Sequence, residues 1–340
     1  MEDVGEKIRC IIVSINEKYV AFFSVLLKSI VESTNDNKKY EIVVLHAELR
    51  DKNKKILEGI AYGKNVCLRF LNVSKRVKGH SFFVNGENEK AYLSREAYFR
   101  LMAPELLPEY ERALYLDSDI IVLPGWTDIF TIDLDEYLLA AVPDIWDNWK
   151  CYSAHSDLAK YREKELSITD NMGYFNSGMM LLNLKAMRNT FKEGELLGIA
   201  TTKKWRKHDQ DVINMMCKGK VHLLDYKWNL IECPSKKAFT AISKEEACSF
   251  QESQNDRKIV HFASRKPWKV RGVLNENDFW KYAVRSPYFD ILFSLFIEEQ
   301  MQQGKYFEQI VFKSIKRGKI GVSFIGKCII AWTRKMLRQV

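Results

Sequence analysis

Short apolar runs alternate with amphipathic stretches through the first part of the chain. Ile8 to Ser14, Tyr40 to Ala47 and Val66 to Val73 are largely apolar, which predicts three strands, the first of them buried. Between them, Tyr19 to Ser33 carries Phe22, Phe23, Leu26, Leu27 and Ile30 at helical spacing, and Asp51 to Ala61 has Ile56, Leu57 and Ile60 on one face. Strand, helix, strand, helix, strand predicts an α/β sheet with parallel crossovers. Ligands of such sheets gather at the carboxyl ends of the strands, which puts Ser14 to Tyr19 on a binding rim.

The pattern then becomes more irregular. Lys75 to Lys90 is polar and contains Gly79 and Gly86, so it reads as a mobile loop. Tyr92 to Met102 predicts a helix bearing Arg100, and Pro104 and Pro108 break the chain after it. Leu114 to Val122 is an apolar run interrupted by Asp117 and Asp119. Isolated buried carboxylates cost several kcal/mol, and a divalent cation at the strand end removes that cost. In an extended segment both side chains point to one side and reach one ion. The same Asp-Ser-Asp also serves as a turn between two strands, and both readings stand on spacing alone.

Trp126 to Phe130 reads as a short helix, and Leu138 to Val142 as a strand followed by Asp144. Ile145 to Gly173 is long, polar and tryptophan-rich at its start, which marks residues 145–173 as a lid or acceptor-side insertion. Phe175 to Leu184 opens with Asn176, Ser177 and Gly178 and becomes a buried strand. Gly178 permits either a bend or the close approach of a ligand. A helix follows from Lys185. Lys207 to Asn214 opens another with polar residues that acids at a helix start would explain on their own. Val221 to Leu224 and Ile259 to Phe262 are further strands, the last ending on His261.

With 340 residues, the chain is one large domain or one domain with an extension. A hydrophobic share of 46% beside 29% charged residues describes a soluble globular protein with a sizeable core. Seven scattered cysteines without a C-x-x-C pair argue against a disulfide framework and a zinc site, and favour a reducing cytosol. The acidic start Met1-Glu2-Asp3 lacks the order of a secretory signal, and no run of about 18 uncharged apolar residues predicts a membrane span. The net charge of +9 is concentrated in the tail: Met301 to Val340 holds nine Lys/Arg against the single acid Glu308. After the first strand there is no glycine-rich dinucleotide or P-loop signature, only Ile15-Asn16-Glu17-Lys18. The amide of Asn16 suits a nucleotide base and a helix cap equally.

Four separated pieces occur in a fixed order: Asp117-Ser118-Asp119 after an apolar strand, Phe175-Asn176-Ser177-Gly178 with Leu182-Asn183-Leu184, His208-Asp209-Gln210-Asp211, and His261 with Lys266-Pro267-Trp268. Together they resemble the retaining glycosyltransferases of family 8, over roughly Ile8 to Trp268. The resemblance implies a GT-A fold, a Rossmann-like α/β domain for nucleotide-diphospho-sugars, over residues 1–268, with residues 269–340 as a helical, basic extension. It implies Asp117, Asp119 and His261 as ligands of Mn²⁺ or Mg²⁺, a donor set whose mixed oxygen and nitrogen chemistry suits Mn²⁺. It also implies Asn16 and Tyr19 at the nucleotide, Arg100 near the donor sugar, Lys266 at the diphosphate, and Asp144, Asn176, Asp209 and Gln210 around the sugar hydroxyls and anomeric carbon. The chain departs from the family pattern in having Asn16 and Lys18 where Asp and Asn are frequent. Its step from His261 to Lys266 is also one residue shorter, with Ser264 in a glycine position.

The activity this implies is transfer of galactose or glucose from a UDP-sugar to a hydroxyl of a cell-surface glycan or lipid-linked saccharide. Because Gln210 is a poor nucleophile, retention is expected through front-face attack. A metal-dependent nucleotidyltransferase and a non-catalytic sugar-nucleotide or glycan binder are the rival readings. The basic residues of 305–340 alternate with apolar ones, which suits either an anionic membrane surface or a helix packed on the core. No nucleic-acid reader motif accompanies the charge. The expected location is cytoplasmic, with a peripheral hold on the inner face of the membrane if the tail binds there.

Overall fold

The structure is a computed structural model that describes residues 8–83, 94–152, 156–170, 173–232 and 243–302. The chain divides into two compact units, Met1–Ser264 and Arg265–Val340.

The first unit is built on a seven-stranded sheet with the order β3-β2-β1-β4-β7-β6-β8. The strands are β1 (Arg9–Ser14), β2 (Tyr40–His46), β3 (Val66–Asn72), β4 (Arg112–Leu116), β6 (Leu139–Pro143), β7 (Phe175–Asn183) and β8 (Val221–Leu223), while β5 (Ile120–Val122) belongs elsewhere. β1 to β4 are mutually parallel, and β7 alone runs against its neighbours β4 and β6. β1 leads to β2 and β3 on one side and has β4 on the other. Strand order therefore reverses between β1 and β4, where such sheets open a crevice at their carboxyl ends. The reversal of β7 has a second consequence: its first residues, not its last, reach that rim.

A second, three-stranded sheet has the order β5-β10-β9, with β9 spanning Leu230–Ile231 and β10 spanning Ile259–His261. The apolar run Leu114 to Val122 is thus two strands in two sheets. Asp117 to Asp119 is the turn between them rather than an extended segment. The free edge of β5 is sealed by the buried helix Val20–Ser33, whose Ser29 hydroxyl accepts from Val122 N at 3.0 Å and whose Ser33 hydroxyl donates to Val122 O at 3.3 Å. Those two contacts explain polar residues in an otherwise apolar helix.

Two further expectations need correction. Pro104 does not break the chain but sits in the first turn of a short helix, Ala103–Leu106, where its missing N–H costs nothing. The segment bearing Arg100 is a 3₁₀ helix, Arg95–Met102, tighter than the helix expected. Residues 145–173 contain helices at Ile145–Asn148 and Asp157–Leu166 with a 3₁₀ turn, Trp149–Tyr152, between them. Of the predicted loop, Lys75 to Phe83 forms turns and coil, and residues 84–90 lie outside the described residues.

The second unit carries helices Glu276–Ala283 and Phe289–Gln302. Phe279 packs against Trp268 at 5.1 Å and Trp280 at 5.3 Å, and Trp280 meets Phe296 at 5.5 Å. The basic segment 305–340 lies outside the described residues. Among the described residues no helix is long and apolar enough to cross a membrane, and Cys10, Cys67, Cys151, Cys217 and Cys248 form no disulfide.

Candidate functional site

A cleft of about 450 Å³ opens where β1, β4, β6 and the start of β7 meet, a size suited to a small ligand. Two hydrogen bonds shape its first corner. Asp117 N donates to Gly178 O at 2.7 Å, tying the turn to β7, and Phe262 N donates to Asp119 O at 3.0 Å, tying it to the end of β10. His261, opposite Ile120 in the register, therefore arrives beside the turn. Its Nε2 lies 3.2 Å from Asp119 Oδ1 and 3.9 Å from Asp117 Oδ2. One ligand atom from each of the three falls within 4.8 Å of the others.

Gly178 is what makes this corner possible. A Cβ there would collide with His261 Cε1 and stand 2.8 Å from Asp117 Oδ2. The close approach this glycine permits is made by the protein's own acidic and imidazole side chains. Two carboxylates converging on one imidazole nitrogen give a mixed oxygen and nitrogen donor set, and the space that glycine leaves keeps them together. These residues fit a divalent cation such as Mn²⁺ or Mg²⁺.

Arg100 forms the floor beside this corner. It is 5% exposed, far from the solvent-facing ion pair that a lone arginine on a helix would otherwise make. Its Nη2 donates to Asp117 Oδ1 at 2.8 Å, Nε stands 3.1 Å from Asp209 Oδ2, and Nη1 donates to Ser177 O at 2.6 Å. The guanidinium also lies over the Tyr115 ring at 4.3 Å, a cation–π contact. Burial opposes its charge, but Asp117 and Asp209 outweigh burial and hold the guanidinium firmly protonated. Burial pushes Asp209 the other way, up to about 6, with Arg100 pulling it down and Asp117 pushing it up.

The opposite wall is a network around Gln210. Its Nε2 donates to Asp144 Oδ2 at 2.9 Å, and its Oε1 accepts from Ser177 N at 3.1 Å and Asn176 Nδ2 at 3.3 Å. Asp144 follows β6, where a register shift between Ala141 and Pro143 against β7 marks the turn into the cleft. Asp211, one residue beyond Gln210, is a buried anchor, not only a helix-start acid. It accepts from Tyr174 Oη at 2.7 Å, Tyr161 Oη at 2.8 Å and Lys207 N at 2.8 Å.

The structure thus gathers Asp117, Asp119, Arg100, Asp144, Asn176, Asp209, Gln210 and Tyr19 on one cleft, with His261 joined to it through the two aspartates. Burial, Asp119 and Asp117 all raise the Tyr19 hydroxyl's pKa, so it stays protonated. Asn16 is placed differently. Its Oδ1 accepts from Lys18 N at 3.0 Å as a cap, its Nδ2 donates to Glu96 Oε2 at 2.9 Å, and it does not line the cleft. Lys266 belongs to the second unit, where its Nζ lies 5.8 Å from the centre of the Trp268 ring.

Sequence reasoning marked 145–173 as a lid or acceptor-side insertion but gave no role to the individual residues of the outer wall. Lys150 Nζ and Lys207 Nζ each stand 2.8 Å from a different oxygen of the buried Asp147 carboxylate, beside Trp146. Their charge holds Asp147 below the usual carboxylate range despite its burial. The cluster of tryptophans at the start of 145–173 was the available signal. His208 also lines the cleft, with φ +52° and ψ −123°, a strained backbone for a residue with a side chain.

The family model of "Glycosyl transferase family 8" matches residues 10–272. This chain belongs to glycosyl transferase family 8. Within the family's wider likeness, it is 24% identical over 294 residues to General stress protein A of Bacillus subtilis (strain 168), covering 84% of this chain and 93% of that one. It is 27% identical over 203 residues to lipopolysaccharide 1,2-glucosyltransferase of Escherichia coli (strain K12), covering 58% of this chain and 56% of that one. Among solved structures, the bifunctional glycosyltransferase WbbM superposes with a TM-score of 0.73 at 26% identity, over 87% of this chain and 53% of that one. Galactosyltransferase LgtC, solved with donor and acceptor sugar analogs, superposes with a TM-score of 0.62 at 21% identity, over 82% of this chain and 96% of that one. This family 8 chain has the GT-A fold and is a glycosyltransferase. It spans only about half the length of WbbM and of the E. coli glucosyltransferase.

Proposed function

We propose that the protein is a retaining hexosyltransferase. In this reading it moves galactose or glucose from a UDP-sugar to a hydroxyl of a cell-surface glycan or lipopolysaccharide-type acceptor, with Mn²⁺ or Mg²⁺ held by Asp117, Asp119 and His261. One observation carries it: a single cleft has converging carboxylates and an imidazole at one corner and a hydrogen-bonded amide and carboxylate wall, Gln210 with Asp144, opposite. The names of the E. coli glucosyltransferase and of galactosyltransferase LgtC support the choice of hexoses, and the former supports the acceptor class.

The metal, when bound, neutralises charge on the departing diphosphate. Tyr19 and the Ser14–Ile15 end of β1 flank the nucleotide. Arg100 fixes Asp117 for the cation and keeps Asp209 ionised beside the sugar. Asn176 and Asp144 take donor-sugar hydroxyls. Gln210 has its Oε1 engaged by Ser177 N and Asn176, so it orients the anomeric region rather than attacking it. The acceptor oxygen then attacks from the face the diphosphate leaves, and its proton passes to the departing phosphate oxygen. Trp146, Lys150 and Lys207 form the acceptor side. Lys266, assigned to the diphosphate by resemblance, is tested separately by the effect of Lys266→Met on the donor KM.

The test is to incubate the protein with UDP-galactose or UDP-glucose, Mn²⁺ and a saccharide acceptor, measuring released UDP and product anomer by NMR. UDP release with an α-linked product from the α-linked donor is expected. Release of hexose 1-phosphate, the leaving group of uridylyl transfer, would support a nucleotidyltransferase instead, and a β-linked product would remove the retaining mechanism.

A further inference from the structure

Asn229 is 1% exposed, absent from the cleft lining, and was not among the residues singled out from sequence. It follows the 3₁₀ turn Tyr226–Trp228 and leads into β9, whose Ile231 stands opposite His261 in a parallel pair. Its side chain connects two residues of the site: His261 Nδ1 is 3.0 Å from Asn229 Oδ1, and Asn229 Nδ2 is 3.0 Å from Asn176 Oδ1.

The direction of every hydrogen bond in this chain follows from one backbone group. Gly178 N–H can only donate, and it meets Asn176 at 3.0 Å, so that atom of Asn176 is the carbonyl oxygen. The Asn229 atom facing the same oxygen must then be the NH₂ group. The other end of Asn229, facing His261, is therefore its oxygen and accepts. His261 must carry a proton on Nδ1, which in the neutral ring leaves the lone pair on Nε2. That nitrogen lies 3.2 Å from Asp119 Oδ1. Two lone-pair atoms at that distance repel, and a cation shared between them relieves the repulsion.

We propose that Asn229 is a positioning residue of the metal site, holding His261 as the Nδ1–H tautomer so that Nε2 faces the cation. The proposal rests on the metal role given above to Asp117, Asp119 and His261. Without Asn229 the ring is free to carry its proton on Nε2. It would then donate to Asp119, occupying both ligand atoms with one hydrogen bond. A partner on the remote nitrogen sets which nitrogen is available and raises its basicity as a ligand. Asn176 extends the chain, since its Nδ2 reaches Asp144 Oδ2 and Gln210 Oε1, both at 3.3 Å. The metal corner and the sugar wall thus share one continuous hydrogen-bond path.

The test uses metal-free full-length protein labelled with ¹⁵N-histidine and observed by NMR at about pH 8, where a free imidazole is neutral. The His261 signals are assigned from those missing in His261→Gln. Wild type is expected to show Nδ1 as the protonated nitrogen and Nε2 as the lone-pair nitrogen. Asn229→Ala should move the proton to Nε2 and weaken Mn²⁺ binding about 10–100-fold. Asn229→Asp keeps an acceptor for Nδ1–H and should retain the wild-type tautomer, which carries the test even if the alanine variant fails to fold. Wild-type His261 protonated on Nε2, an Asp variant that loses the Nδ1 proton, or a folded Asn229→Ala with wild-type Mn²⁺ affinity would each overturn the proposal. Wild type that binds no Mn²⁺ at all would overturn the metal reading itself, a result distinct from unaltered affinity in the variant.

Discussion

Arg100 and Asp209 form an ion pair at 3.1 Å with both side chains only 5% exposed, and the same guanidinium holds Asp117. One cation therefore supports a carboxylate of the metal corner and a carboxylate of the sugar wall. Removing it with Arg100→Met would leave Asp117 and Asp209 side by side without it. Loss of one partner from a buried pair costs about 3–5 kcal/mol, so the urea midpoint should fall sharply. Arg100→Lys should recover little, because an ammonium cannot meet Asp117, Asp209 and Ser177 O from one planar fork. A lysine variant as stable as wild type would contradict this.

Asp209 also sets a pH dependence. Its carboxyl rises to about 6, chiefly through burial. A raised carboxyl favours the fold most when protonated. Its contribution is complete below the unfolded value of about 3.9 and is lost as pH rises through about 6. In chelator, wild-type stability should fall across that window relative to Asp209→Asn, which removes the titrating group. Parallel urea midpoints for the two proteins from acid to neutral pH would refute it.

Gly178→Ala probes the metal corner without touching a ligand. Because the added Cβ would collide with His261, the ring must move away from Asp119. Mn²⁺ binding, read by calorimetry, should weaken at least about tenfold, as expected when ligand orientation is lost. Circular dichroism should remain that of an α/β protein. Wild-type metal affinity in this variant would mean that His261 is not a ligand.

Gln210→Ala should lower kcat on the order of 100-fold, the scale of losing one oriented polar group at the reacting centre, while UDP affinity stays unchanged. Unaltered turnover would remove Gln210 from the reaction. A glycosyl-enzyme trapped in Asp209→Asn would replace front-face attack with double displacement.

Much of this was legible in the chain. The runs beginning at Ile8 and Tyr40 are rich in β-branched residues and nearly free of polar positions, so the pattern identifies them as buried strands, whereas the run beginning at Val66 is an edge strand with only Val66 buried. Asp117 and Asp119 stood out because carboxylates inside an apolar run are costly without a task, and His261 because it ends another such run, whereas Asn176 and Gln210 were marked only by the family resemblance. What stayed hidden depends on through-space relations. Asn229 precedes a two-residue strand, too short for any period, and its role arises only once β9 lies against β10. The turn at Asp117 to Asp119 was one of two readings the sequence left open, but that the strands on either side of it belong to different sheets leaves no mark in the run. Asn16 offered an amide to a nucleotide by its position, and nothing in the sequence signals that its Nδ2 would donate to Glu96, eighty residues on.

The most direct test is a calorimetric titration of UDP into the purified protein, with Mn²⁺ and with chelator. Tight binding with Mn²⁺, lost in chelator and in Asp119→Ala, is the expected result. No UDP binding under either condition, or equal binding under both, would contradict a metal-held nucleotide-sugar at Asp117, Asp119 and His261.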